Sequence, residues 1–287
     1  MATAALVLLT LLVGYVAIGG PRLGRVDEPV LGIPAQESPS VAIALDGVEN
    51  TILLQGTAET LPVLASWVGM ERNVLESGTE ITLGIRQERG EGPLLFRVES
   101  GVLSLHADGP VQVTRVGTTD AIDVEPDTDI RMGAGDQGFA PFGVVARWRN
   151  EGIAAVSVLS AGIRSYTGCC SVLFGEAYDE ILAEYTYMPP APPLELTVRR
   201  VTLQPGEVLA IDAMPDLEML SVESGSLVAV DAATPEKPAR RAIIDEGTVE
   251  QGNFRPGRIF ESADSDPVTM LLLSIAWKDG STTPPGT

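Results

Sequence analysis

Gly206, Asp212, Met214, Glu218 and Gly225 stand in the spacing G-x5-D-x-M-x3-E-x6-G, which brackets two carboxylates and a thioether between glycines. If both carboxylates point into one cavity, they could hold a hard cation such as calcium or the basic group of a ligand. Calcium takes about 6–8 oxygens, so two carboxylates are only the start of such a site. The plainer alternative puts Asp212 at an open rim and leaves Glu218 hydrogen-bonded or solvated. In the first half of the chain Arg86 is the cation of interest. Its guanidinium suits a carboxylate or phosphate, and it could equally pair with Glu88 or Glu91. His106 is the only histidine. A catalytic base needs an orienting partner and a pocket, and no partner stands at a readable spacing, so His106 reads as a structural or surface residue. The two cysteines, Cys169 and Cys170, are adjacent. They are either free thiols or a strained, reducible vicinal disulfide, and they offer no zinc-ribbon or redox-pair spacing. No nucleophile elbow, P-loop or dinucleotide fingerprint is present; Gly133-Ala134-Gly135 is a turn in a β context.

The elements that must position these residues are short strands. Glu80–Gly84, Leu94–Val98, Val102–Leu105, Val111–Val116 and Ala154–Leu159 are β-rich runs separated by Gly- and Pro-containing turns. A second block contains Leu196–Leu203, Val208–Ile211, Met219–Val222, Ser226–Val230, Ala242–Ile244 and Val268–Ala276. Such a succession predicts a β-sandwich or barrel. Between the blocks, apolar residues from Leu173 to Tyr185 recur at three- and four-residue steps with acids between them. That spacing predicts an amphipathic helix, stopped by the proline-rich run Met188–Pro193.

The two blocks read as copies of one unit. Leu75-Glu76-Ser77-Gly78 aligns with Leu203-Gln204-Pro205-Gly206, and Val98-Glu99-Ser100-Gly101 with Val222-Glu223-Ser224-Gly225. Gly135 aligns with Gly247, and Ala155–Leu159 with Thr269–Leu273. Internal repetition of a whole unit implies two similar domains packed about a pseudo-two-fold axis.

On these residues the chain resembles a two-domain cupin, a bicupin, over about residues 51 to 277. The spacing from Gly206 to Gly225 matches the first family motif, G-x5-H-x-H-x3-E-x6-G. Gly135, Pro141, Gly143 and Asn150 match the non-ligand positions of the second, G-x5-P-x-G-x2-H-x3-N. The resemblance implies metal ligands at Asp212, Met214, Glu218 and about Phe260 in the second half, and at about Gly84, Arg86, Leu94 and Ala146 in the first. Only Glu218 keeps the family residue. Transition-metal sites of this kind need imidazole nitrogens with a carboxylate, so the resemblance implies the architecture without its metal or any other cofactor. Asp212, Met214, Glu218, Phe260 and Arg86 remain as ligand-binding candidates, and no residue stands out as catalytic.

Bulk properties narrow the function further. With 39 acidic against 19 basic residues the net charge is −20, which argues against nucleic acid, since phosphate binding needs clustered Lys and Arg. Residues 2–20 are apolar and uncharged, then come Pro21, Arg22 and Arg25. The run is of near-spanning length and also resembles a secretory h-region without its basic flank. The organisation expected is a signal peptide or anchor at 1–25, a linker at 26–50, a cupin-like domain at 51–165, a helix and Pro-rich connector at 166–193, a second domain at 194–278 and a disordered tail at 279–287. The function expected is a secreted or membrane-anchored, extracytoplasmic bicupin of bacterial export type, acting in binding or as a scaffold rather than in catalysis. Its expected partners are a small-molecule ligand and, by self-association, a second copy in a homodimer. The alternative is a cupin-type enzyme, or a sugar or organic-acid binder using the second barrel.

Overall fold

The computed structural model describes residues 48–61, 66–83, 91–165, 172–174, 177–187, 193–210, 217–232, 238–251, 254, 257–263 and 265–277. The N-terminal apolar segment, Arg86, Cys169, Cys170, Asp212, Met214 and the C-terminal tail lie outside the described residues.

Every regular element among the described residues is a strand. In chain order the first are β1 (Glu49–Ala58), β2 (Ser66–Leu75), β3 (Glu80–Leu83), β4 (Glu91–Ser100), β5 (Val102–Ala107), β6 (Val111–Thr114) and β7 (Ala121–Val124). Next come β8 (Asp129–Gly133), β9 (Gln137–Ala140), β10 (Ala146–Arg149), β11 (Val156–Ser165), β12 (Val172–Phe174), β13 (Ala177–Tyr187) and β14 (Leu194–Leu203). The last are β15 (Val208–Ala210), β16 (Leu217–Ser224), β17 (Ser226–Asp231), β18 (Arg240–Asp245), β19 (Val249–Gln251), β20 (Ile259–Ser262) and β21 (Val268–Trp277).

These strands form four antiparallel sheets. Their orders are β12-β3-β10-β5-β8, β13-β2-β11-β4-β9-β6-β7, β1-β14-β21-β16-β19 and β15-β20-β17-β18. Three apolar cores separate them. Leu103, Leu105 and Trp148 of the first sheet meet Phe96, Val98 and Val158 of the second. Val68, Met70 and Leu159 of the second sheet meet Leu196, Val198 and Leu273 of the third. Val201, Leu220 and Leu272 of the third meet Leu209, Leu227 and Phe260 of the fourth. The outer sheets therefore cover one face and leave the other wet, and their sequences alternate accordingly, as in the buried-exposed pattern of Ala146–Arg149. The inner sheets bury both faces. Met270, Leu271, Leu272 and Leu273 of β21 are all fully buried, so that strand reads as an unbroken apolar run.

The helix expected across 171–185 is not there; β12 and β13 occupy 172–174 and 177–187. A bulge adds to the misleading pattern at its C-terminal end. Ile181 pairs with Glu71 and Ala183 with Met70, leaving Leu182 unpaired. An extra residue shifts the period-two alternation by one, so a strand acquires apparent three- and four-residue steps. Beyond the bulge Ala183, Tyr185 and Tyr187 alternate with Glu184 and Thr186, which is strand periodicity. The long ladder offered by the edge of β2 outweighs local helix propensity.

The duplication is visible in backbone detail. Gly101 and Gly225 have φ of 81° and 79°, a region that side chains penalise. A Cβ would meet Ala155 O at 2.9 Å in one case and Pro267 O at 3.1 Å in the other. The residues before these glycines are also matched. Ser157 pairs with Ser100 and Val158 with Val98, so Glu99 is a bulge; Glu223 is its counterpart between Val222 and Ser224.

The bulges aim both glutamates at the interface between the inner sheets. There Arg72 of β2 binds Glu99 at 2.7 Å and Glu223 at 2.7 Å. Arg200 of β14 binds Glu223 at 2.6 Å and reaches Glu99 at 3.4 Å. Burial works to raise the Glu99 carboxyl. The Arg72 hydrogen bond and charge, aided by Ser157 and Arg200, overcome it and hold Glu99 below its ordinary value near 4.5. Arg72 is pushed up, chiefly by its hydrogen bond to Glu99.

A carboxyl depressed on folding stabilises fully above its unfolded pKa, and that stability is lost as pH falls through the lower folded pKa. The unfolding midpoint should therefore drop between about pH 5 and pH 3 more steeply in the native chain than in Glu99→Gln. Thermal unfolding across that range checks this, and parallel slopes would refute it.

Candidate functional site

The centre of each barrel is filled by apolar side chains wherever the structure describes it. In the first barrel Leu94 and Ala146 are buried core residues. Trp148 is fully buried, with its ring centroid 5.0 Å from that of Phe96, and its indole N–H finds no acceptor among the described residues. In the second barrel Phe260 is fully buried, edge-on to Phe254 at 6.2 Å. The Arg258 guanidinium lies 5.5 Å from the Phe260 centroid and is held by Glu250 at 3.1 Å and Asp231 at 3.3 Å. Register relates the two barrels: Trp148 lies opposite Leu105, and Phe260 opposite Ala229. A large aromatic ring thus fills the same place in each.

Of the five residues singled out in the sequence, Phe260 alone has a described side chain. The backbone of Glu218 forms the bulge of β16 between Leu217, opposite Ser274, and Met219, opposite Leu273. Its side chain, and all of Asp212, Met214 and Arg86, lie outside the described residues. At two of the positions where the resemblance implies metal ligands, Leu94 and Ala146 carry no donor atom and do not fit a metal. Phe260, expected at a third, is by register the counterpart of Trp148 and not of Ala146. Among the described residues no three His, Cys, Asp or Glu side chains converge.

The chemistry that the structure does assemble lies outside the first barrel, on the wet face of its outer sheet. A groove of about 570 Å³ is lined there by Ser104, His106, Asp129, Arg131, Arg147 and Arg149, among others. Register sets these residues in two rungs. One runs Glu80, Arg149, Ser104, Arg131 across β3, β10, β5 and β8; the other runs Thr82, Arg147, His106, Asp129. Directly opposed side chains stand about 4.5–5.5 Å apart at Cβ, and successive rungs on one face about 6.6–6.8 Å apart. The outward faces of these strands are polar because their inward residues, Leu103, Leu105 and Trp148, are buried.

His106 has the partner that its sequence neighbourhood does not reveal. Its Nδ1 lies 3.0 Å from Asp129 Oδ1, and its Nε2 lies 3.9 Å from Asp127 Oδ1. Glu151 closes the end of the groove. It accepts from Arg131 at 2.9 Å and lies 3.6 Å from Arg149. The Arg131 hydrogen bond, with help from Ser104, holds its carboxyl below the ordinary range. Among the described residues Arg147 forms no ion pair. The acid-rich stretch Glu125–Asp129 reads as loop, so β8 and the pairing of Asp129 with His106 stay hidden until the ladder is drawn.

Comparison with solved structures finds likeness to oxalate decarboxylase from Bacillus subtilis. It covers 81% of this chain and 75% of that one, at 13% identity and a TM-score of 0.42. A deletion mutant of the same enzyme matches over 77% and 76%, at 12% identity and 0.42. A further oxalate decarboxylase structure, concerned with substrate binding mode and a reaction specificity switch, gives 77%, 76%, 12% and 0.43. No protein-family model matches the chain, and no curated protein does. Activity and ligands do not pass between proteins on such a likeness. The fold class rests on the ladders themselves: all-β, with four antiparallel sheets packed as two barrels in tandem.

Phe260 allows a direct check of the filled second barrel. Phe260→Ala should lower the free energy of unfolding by about 3–5 kcal/mol, the cost of removing a buried aromatic side chain. Urea unfolding measures it, and a loss below about 1 kcal/mol would mean that the ring borders open space.

Proposed function

We propose that this protein is a non-catalytic binding or scaffold protein, a bicupin-like double barrel without a transition-metal site, held at the extracytoplasmic side of a membrane or exported. The observation that carries the reading is the occupancy of the barrel centres. Trp148 and Phe260 are fully buried rings at matched places, and Leu94 and Ala146 are core residues. A Lewis acid in a barrel of this kind needs imidazole or carboxylate donors where Leu94 and Ala146 stand. Leu94 and Ala146 supply no such donor in the first barrel, and Phe260 packs the second as Trp148 packs the first. The N-terminal apolar run of the sequence supports anchoring or export.

Elemental analysis of the purified full chain tests the reading. Fe, Mn, Zn and Ni are expected far below one atom per chain, and stoichiometric content of any of them would overturn it in favour of a cupin-type enzyme. A thermal-shift screen with sugars and organic acids separates binder from scaffold. A shift abolished by Asp212→Ala would place the ligand in the second barrel, whereas a shift that survives it would place the ligand elsewhere on the chain.

A further inference from the structure

We propose that the groove on the outer sheet of the first barrel binds a small organic ligand through its carboxylate, with Arg147 as the principal contact. The proposal rests on the reading of the chain as a binding protein and names the surface and ligand class.

Three observations carry it. The first is the placement of cations. Of the 19 basic residues only Lys237 and Lys278 are lysines. Guanidinium groups, which pair with planar carboxylates bidentately, supply the remaining positive charge. Many of the described arginines are committed to acids: Arg72 and Arg200 to Glu99 and Glu223, Arg115 to Asp136, Arg258 to Asp231 and Glu250. Arg131, Arg147 and Arg149 share one concave face of a chain whose net charge is −20; Arg131 and Arg149 pair there with Glu151, and Arg147 forms no ion pair among the described residues.

The second is that the groove already seats a carboxylate. Glu151 lies between Arg131 and Arg149 and is also hydrogen-bonded by Ser104. One rung away, Arg147 stands beside His106, whose imidazole is steadied by Asp129. Among the described residues Arg147 has no acid across it, while His106 faces Asp129 at 3.0 Å and Asp127 at 3.9 Å. A ligand carboxylate placed there would accept from Arg147, with His106 Nε2 on its flank, and Glu151 would compete for it from the adjoining rung.

The third is the internal copy. The fold does not require these residues, because the equivalent register positions of the second barrel hold others. Val228 and Val230 replace Ser104 and His106, and Ile243 replaces Arg131. Ile259 and Glu261 replace Arg147 and Arg149. Arg241 stands where the first barrel has Asp129. The same sheet is built twice, and the groove in which three arginines face Glu80, Asp129 and Glu151 occurs on one copy.

His106 makes the test simple, since the only imidazole of the chain gives a single, already assigned NMR signal. The untagged full chain is titrated with succinate and with galacturonate at fixed pH and matched ionic strength, following the His106 Hε1–Cε1 resonance. Galactose and inorganic phosphate serve as neutral and non-carboxylate controls. Both carboxylates are expected to shift the signal saturably, galactose not at all, and phosphate more weakly than either. Arg147→Ala should raise Kd about tenfold or more, the order of one charge-assisted hydrogen bond. Glu151→Gln should lower Kd by removing the internal competitor. Because Arg147 is exposed, its removal should leave the thermal unfolding curve in place. A signal unmoved by both carboxylates, an unchanged Kd in Arg147→Ala, or tighter binding of phosphate would each overturn the proposal. Metal content measured on the same sample keeps the two readings apart. Stoichiometric metal defeats the reading of the chain as metal-free whatever the imidazole does, and a silent imidazole in a metal-free sample defeats the groove alone.

Discussion

The contact between the two inner sheets governs this molecule, and the ion quartet of Arg72, Glu99, Arg200 and Glu223 sets how that contact is made. An apolar interface is tolerant of sliding, because burial rewards area and not direction. Four half-buried charges are not tolerant. Each glutamate reaches an arginine of its own sheet and the arginine of the other. A shifted docking would leave carboxylates and guanidinium groups desolvated without partners, which costs several kcal/mol per broken pair. The quartet adds little net stability by comparison with hydrophobic side chains in the same place. Its contribution is to fix one registration of the two inner sheets.

Strand exchange makes the same interface topologically obligatory. The first strand of the chain, β1, pairs with β14 in the third sheet, and β13, from the connector between the repeats, pairs with β2 in the second. Each barrel is thus completed by a strand lying outside its own repeat. Arg97 adds a further tie, donating to Leu53 O of β1 at 3.3 Å. Separating the halves would expose the shared core around Met70 and Leu273 and strip an edge strand from at least one sheet.

The parts of this design that show in the sequence are those with short-range signatures. Strands β3, β5, β14, β17 and β21 are readable from alternation or from unbroken apolar runs, and the repeat shows in its turn glycines and in the shared Val-Glu-Ser-Gly phrase. The two glutamates of the quartet stand inside that phrase. The arginines were equally available, since Arg72 and Arg200 each precede an aligned leucine, Leu75 and Leu203, by the same interval. A charge on a strand suggests solvent, and only the pairing of two sheets turns that face inward. The helix expected over β13 failed for a related reason: the Leu182 bulge is defined by what lies across from it. The outer groove was hidden for the same cause, as Asp129, His106 and Arg147 become neighbours only through the β5–β8 and β5–β10 ladders. Asp212, Met214 and Arg86 stand outside the described residues, and the structure adds nothing to what their spacing suggests.

Filled barrels have a consequence for where recognition can occur. Both faces of each inner sheet are covered, and the barrel centres hold Trp148 and Phe260. Open surface then remains at the rims and on the outer faces of the two outer sheets. On one of these faces Val228, Val230, Ile243 and Ile259 point outward beside Arg241 and Glu261, and on the other Ser104, His106, Arg131, Arg147 and Arg149 beside Asp129 and Glu80. Duplication began with like surfaces, so the difference arose after the copies diverged, while the inward positions of both kept their apolar character. Packing constrains the inward residues to near-native volume, whereas the outward ones are free to change without loss of fold. A protein that has given its interior to packing can acquire binding chemistry only on such free positions. The arginine rungs of the first barrel occupy them.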